Sequence, residues 1–151
     1  MHELAERELL ACCASPVWVA AMTGPHADVD AVLLAADTAL AALDWSEVEK
    51  ALAAHPRIGD RAAGLDAAWS RQEQAAAADG DPAELAALAA ANAEYERVFD
   101  RVFLVDATGR SAAGILADLR ARLRNDEDTE RAVVREELRG IVRLRLRKAL
   151  S

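Results

Sequence analysis

Three side chains in this sequence have a type and a setting that suit chemistry: an imidazole at His55, a carboxylate at Glu73 and a guanidinium at Arg145. Proline disfavours the α conformation in the residue before it, so His55, followed by Pro56, should sit where a helix ends and the chain turns. At a helix carboxy end the macrodipole favours the imidazolium, which suits a general acid near neutrality. A loop histidine with its nitrogens satisfied fits the same position. His2, near the amino terminus, and His26, in a turn, have no comparable setting.

Ser70 and Glu73 stand at the spacing of a capping box, in which the carboxylate reaches back to the backbone at the start of a helix. That is one reading of Glu73. The other starts from the same place: a helix amino terminus gathers N–H donors, so Ser70, Glu73 and Gln74 could bind a polar, urea-like ligand. The Gln74 amide, with one acceptor and two donors, matches a ureido group.

Arg145 is singled out by its direction. On a wheel of about 100° per residue with Val134 at zero, Leu138, Ile141, Val142 and Ala149 fall within about 80°, and Arg145 falls near 20°. By the same wheel Arg139, Arg143 and Arg147 point away and should be solvated. A guanidinium turned into a core needs an anion and filled hydrogen bonds, because it does not escape by losing its proton. The partner is an internal carboxylate, or the carboxylate of a ligand held in a bidentate clamp; snorkelling past the small Ala149 is a further alternative.

The elements that must position these groups read as about seven or eight helices in a compact, single-domain, all-α bundle spanning 1–151. Ser15 and Pro16 open a helix as N-cap and first residue. From Val29 onward, Val32, Leu33, Ala36, Leu40 and Leu43 share its face. Asp44, with Glu47 three residues on, caps a helix carrying Val48 and Leu52 into His55. Residues 79–82 break the chain, and the next helix aligns Leu85, Leu88, Asn92, Tyr95 and Phe99. An apolar stretch at 102–105 reads as extended. Ser111 then caps a helix bearing Ile115, Leu116, Leu119 and Leu123, residues 125–129 connect, and a long final helix follows.

Composition agrees and excludes. Alanine dominates and only three Trp, one Tyr and two Phe are present, which suits helices better than strands. A formal net charge of −8 opposes generic binding to nucleic acid or anionic membrane. Residues 135–148 carry six basic and two acidic side chains, a pattern that reads as a solvated helix face. Cys12 and Cys13 are adjacent and close no structural loop, as expected of a reduced cytoplasmic protein. No apolar run approaches the roughly 20 residues of a membrane span, and neither an export nor an anchoring segment is expected.

The run Ala54-His55-Pro56-Arg57-Ile58-Gly59-Asp60, followed by Ser70-x-x-Glu73-Gln74, resembles the 2-oxo-4-hydroxy-4-carboxy-5-ureidoimidazoline (OHCU) decarboxylase family. The resemblance extends through Cys13-Ala14-Ser15-x-x-Trp18, Trp45, the stretch from Tyr95 to Gly109, Arg122-Leu123-x-Asn125 and Ile141-x-x-Leu144-Arg145-Leu146. It implies a helical decarboxylase that uses no metal or organic cofactor and converts the ureidoimidazoline to S-allantoin in urate breakdown. It implies His55 as the acid, Pro56 beside it, Glu73 on the reacting hydroxyl, and Gln74 and Ser70 on the ring and ureido edges. Backbone groups of Phe103, Leu104, Val105, Asp106 and Ala107 would bind substrate, and Arg145 the departing carboxylate. Members of the family are often homodimers, so a second copy of the chain is a candidate partner.

Where the family usually reads Phe-Gly-Phe-Pro-Phe, this chain has Phe99-Asp100-Arg101-Val102-Phe103. The glycine and proline that shape that loop are gone. A non-catalytic helical interaction module on the same scaffold is therefore the alternative from another class. Nucleic-acid binding through the Arg-rich last helix ranks below it, against the overall charge and the inward direction of Arg145.

Overall fold

The computed structural model describes residues 1–55 and 67–151, the side chains of residues 67, 68 and 70 excepted. Among these residues there are eight helices and no strand: α1 (Glu6–Cys12), α2 (Pro16–Met22), α3 (Val29–Ala41), α4 (Trp45–Ala53), α5 (Ala67–Ala78), α6 (Pro82–Phe99), α7 (Ala112–Arg122) and α8 (Glu127–Leu150). The all-α class expected from composition is what forms. Contacts group the chain into two units, Met1–Ala54 with Leu138–Ser151, and His55–Glu137. Among the described residues no helix is long and apolar enough to cross a membrane.

In the first unit the helix starts are those the capping residues announce. Ser15 Oγ accepts the Trp18 N–H at 3.1 Å, Asp28 accepts that of Ala31 at 2.8 Å, and Asp44 that of Glu47 at 3.0 Å; each meets a donor the helix itself leaves open. The apolar stripe of α3 buries Val32, Leu33, Ala36 and Leu40. Fully buried Trp18 on α2 donates its indole N–H to Ala36 O at 3.2 Å, tying α2 to α3. Glu47 departs from expectation. Its carboxylate takes the Ser15 hydroxyl at 3.1 Å and the Val17 N–H at 3.4 Å instead of returning to Asp44, so α4 helps cap α2.

The carboxy-terminal part of α8 buries Leu138, Ile141, Val142 and Leu146. Arg147 is exposed, as the wheel places it. Arg139 and Arg143 are not simply solvated: both pair with Asp37 of α3, at 3.3 and 2.5 Å. A lone carboxylate on a half-buried helix face draws in cations that the wheel of their own helix assigns to solvent.

The second unit has a core of Ala77, Leu88, Tyr95, Phe99, Phe103, Val105, Ala107, Ala112, Ile115, Leu116 and Leu119. Tyr95 anchors it, with ring centroids 4.7 Å from Phe99 and 5.1 Å from Phe103. Helix α6 opens on a full capping box, Asp81 with Glu84, and Pro82 at its first position. Leu88, Asn92, Tyr95 and Phe99 are buried, whereas Leu85, one turn from the start, remains exposed. Ser111 caps α7 through the Gly114 N–H at 3.1 Å. Helix α8 begins at Glu127, inside the expected connection; Asp126 accepts the Thr129 N–H at 2.8 Å, and Glu127, Asp128 and Glu130 complement the helix dipole.

The altered loop is held by its own devices. Asp100 ends α6 in the left-handed region (φ 56°, ψ 40°), the conformation that favours glycine, and its N–H closes on Glu96 O at 2.8 Å. Arg101 forks onto Glu127 with contacts of 2.5 and 3.3 Å and lies 5.3 Å from the Phe99 ring centroid. The aspartate accepts the strain that glycine would avoid, and the new arginine finds a carboxylate. Asp100→Gly is expected to raise stability by about 0.5 kcal/mol, the relief of the left-handed strain outweighing the added freedom of the unfolded chain. A urea midpoint that falls would show the aspartate to be favoured where it stands.

Candidate active site

Helix α4 closes at its C-cap Ala54, and half-buried His55 follows in a bend. That is the position the following proline dictates. Pro56 and the remaining motif residues Arg57, Ile58, Gly59 and Asp60 lie outside the described residues.

Glu73 and Gln74 lie within α5, Glu73 buried to 6% exposure and Gln74 half-buried. Here the structure corrects the sequence reading. Helix α5 is already formed at Ala67, so Ser70 stands inside it and is not the N-cap of a box with Glu73. Alanine and tryptophan upstream continue the helix more readily than a serine ends it. The amide nitrogens of Glu73 and Gln74 are therefore in the helical ladder, and these residues can meet a ligand only with their side chains. The Ser70 side chain is outside the described residues.

Arg145 is 3% exposed, on the face of α8 that the wheel assigns to the core. One guanidinium nitrogen, Nη1, donates to Ala11 O at 2.9 Å. That carbonyl is in the last turn of α1, where helix acceptors lack intrahelical donors, so an orphan carbonyl takes part of the arginine's hydrogen-bonding capacity. The charges of Arg145 and Glu47 act in opposite senses on Cys13, whose thiol burial pushes up to about 11. That thiol stays protonated at neutral pH.

The segment Phe103, Leu104, Val105, Asp106, Ala107 belongs to no helix or strand, and all but Asp106 are buried. Side chains meet two of its backbone polar groups, and the Arg110 N–H meets Ala107 O at 3.0 Å. Arg122 of α7 donates from Nη1 to Leu104 O at 2.7 Å, and the Asp106 N–H reaches Glu137 of α8 at 3.5 Å. Burial raises the Glu137 carboxyl above its ordinary range, against the Asp106 N–H and the Arg122 charge, which lower it. Gly109, at φ 71°, makes the turn that follows.

A buried network that the sequence reading missed stands behind this segment. Glu130 is fully buried and accepts from Arg122 Nε at 2.9 Å and Nη2 at 2.6 Å, from Tyr95 Oη at 2.5 Å and from Asn125 Nδ2 at 3.1 Å. The Arg122 guanidinium also lies 4.5 Å from the Phe103 ring centroid. Burial and the neighbouring Glu130 push the Tyr95 hydroxyl well above its usual range, so it stays a donor. The signal was available. On α7, Ile115, Leu119 and Arg122 are spaced i, i+4, i+7, the same intrusion of an arginine into an apolar stripe that marks Arg145. Asn92 of α6 is also buried, and among the described residues neither of its amide atoms has a hydrogen-bond partner, which packing does not explain.

His55, Glu73, Gln74 and residues 103–107 thus belong to the unit His55–Glu137, and Arg145 to the unit containing Leu138–Ser151. Among the described residues, then, a carboxylate, a guanidinium and an irregular backbone segment are buried, and an imidazole stands at a helix end. The family model for OHCU decarboxylase matches residues 2–147, and the chain belongs to that family. A crystal structure of an OHCU decarboxylase in the presence of (S)-allantoin is similar over 95% of this chain and 97% of its own, with a TM-score of 0.83 and 27% identity. The uric acid degradation bifunctional protein TTL of Arabidopsis thaliana is 28% identical over 99% of this chain and 48% of its own length. The chain therefore spans about half the length of the curated relative it matches. An (S)-allantoin synthase structure, at 16% identity and a TM-score of 0.73, shares the fold over 96% of this chain and 49% of its own.

Proposed function

We propose that this chain decarboxylates 2-oxo-4-hydroxy-4-carboxy-5-ureidoimidazoline to S-allantoin, a step of urate breakdown, as one domain over 1–151 in the cytoplasm, with a homodimer as its candidate assembly. The observation that carries the reading is the family match from residue 2 to 147, which takes in His55, Glu73, Gln74 and Arg145 together. Burial agrees with it: Glu73 and Arg145 are charged side chains at 6% and 3% exposure, a placement that calls for polar partners from the chain or from a ligand.

In the proposed reaction the C–CO2 bond breaks, its electron pair passes toward the adjacent imine of the ring, and a proton arrives on one face. His55 donates that proton. Glu73 orients the reacting hydroxyl, Gln74 and Ser70 hold the ring and ureido edges, Pro56 lines the pocket beside His55, and backbone groups of Phe103, Leu104, Val105, Asp106 and Ala107 complete the contacts. Arg145 aligns the carboxylate that leaves as carbon dioxide. The scheme calls on neither a metal nor an organic cofactor, and desolvation of the carboxylate favours the charge-dispersed transition state.

The test generates the unstable substrate in place with urate oxidase and hydroxyisourate hydrolase, adds this protein, and follows circular dichroism for one allantoin enantiomer. Racemic product at the spontaneous rate would exclude the enzyme and leave the interaction module. Within the same assay Arg145→Lys is expected to raise KM by about tenfold or more and to alter kcat less, because an ammonium does not reproduce a planar fork. An unchanged KM would assign the guanidinium to the fold alone.

A further inference from the structure

We propose that Arg122 is a positioning residue for this reaction: clamped by Glu130, which Tyr95 and Asn125 hold in place, and lying over the Phe103 ring, it fixes residues 103–107 so that their backbone presents a set of donors and acceptors to the substrate. The proposal rests on the decarboxylase reading, since it assigns a purpose to contacts that reading places on this segment.

The argument begins with what a buried ion pair does not do. Two charges taken out of water are rarely more stabilising than apolar groups of the same volume, so Arg122 and Glu130, at 3% and 0% exposure, call for a purpose beyond stability. Glu130 is saturated by Arg122, Tyr95 and Asn125. Of the Arg122 nitrogens, Nε and Nη2 are spent on Glu130, and Nη1 alone reaches outside the network, to Leu104 O. The network ends on that carbonyl.

Residues 103–107 need such a device. A buried strand is normally fixed by a ladder of neighbours, but this stretch is in no sheet. Two side chains stand in for the ladder: Arg122 at the Leu104 carbonyl and, two residues on, Glu137 at the Asp106 N–H. A spacing of two residues between the held groups matches the alternation of an extended run, in which the residue between directs its N–H and C=O to the opposite side. The same guanidinium faces the Phe103 ring, fixing side chain and backbone together. A rigid backbone edge is the kind of surface that discriminates a planar, ureido-bearing ring by hydrogen bonds.

The test is Arg122→Lys, which keeps the charge beside Glu130 and loses the fork and the stacking plane. The expected result is a folded protein whose KM, and whose Kd for (S)-allantoin by calorimetry, rise about tenfold while kcat changes less than about threefold. Amide exchange at Val105 should quicken in parallel. Leu119→Ala, a cavity in the same core, is the control: it should lower the unfolding midpoint and leave KM and Kd within about twofold. If Arg122→Lys does not fold, the neutral pair Arg122→Gln with Glu130→Gln gives the same readout. A folded variant with KM and Kd within about twofold of the parent overturns the positioning role and leaves the decarboxylase reading standing. A parent chain that neither forms one allantoin enantiomer nor binds (S)-allantoin overturns both.

Discussion

His55→Ala is expected to lower the rate of stereospecific allantoin formation by about 10²- to 10⁴-fold, the range that a positioned general acid contributes. The fold should survive it. His55 follows the C-cap of α4, outside the helical ladder, and is half-buried, whereas the adjoining core rests on Val48, Ala51 and Leu52 of α4. Helix content and unfolding midpoint therefore stay near those of the parent, and the loss falls on kcat, because the proton is needed at the transition state and not for binding. His55→Asn should be as inactive, since it keeps a polar group and loses the transferable proton. A variant with full kcat and a single enantiomer as product would remove the imidazole from the mechanism.

What could be read from the sequence follows from how far each signal depends on tertiary partners. Caps are local: Ser15, Asp44, Asp81 and Ser111 start helices where their types say, because each side chain bonds the amide three residues ahead. His55 was legible for the same reason, its place fixed by the next residue. Arg145 was legible because a helical stripe is a nearly local property, and one charge inside it stands out. The failures are of the opposite kind. Glu47 leaves its own helix start for Ser15 and Val17, more than two dozen residues away in sequence. Ser70 and Glu73 carry a capping pattern that upstream helix formers override. Glu130 sits among the acidic residues of the α8 first turn, and nothing local marks it as the one to be buried. Its identity is set by Arg122, Tyr95 and Asn125, which the chain brings from other elements.

That same dependence makes Glu130 the residue whose loss should cost the most stability. Glu130→Ala leaves the Arg122 guanidinium buried without its carboxylate and the Tyr95 hydroxyl and Asn125 amide without their acceptor. Removing one member of a buried pair costs about 3–5 kcal/mol, because the other charge stays out of water uncompensated. Arg122→Met should cost a comparable amount from the other side. In the double variant Arg122→Met with Glu130→Leu no charge is stranded, and most of that loss should return, so the two effects are strongly non-additive. Urea unfolding of the four proteins measures this directly. Single variants within about 1 kcal/mol of the parent would mean that water or rearrangement satisfies the survivors. A stable double variant would also separate the two purposes of the network: with Leu104 O no longer held, the chain should keep its helices and recover most of its midpoint while its affinity for (S)-allantoin falls, since apolar packing can replace the ion pair in the core but not the hydrogen bond that ends on the backbone.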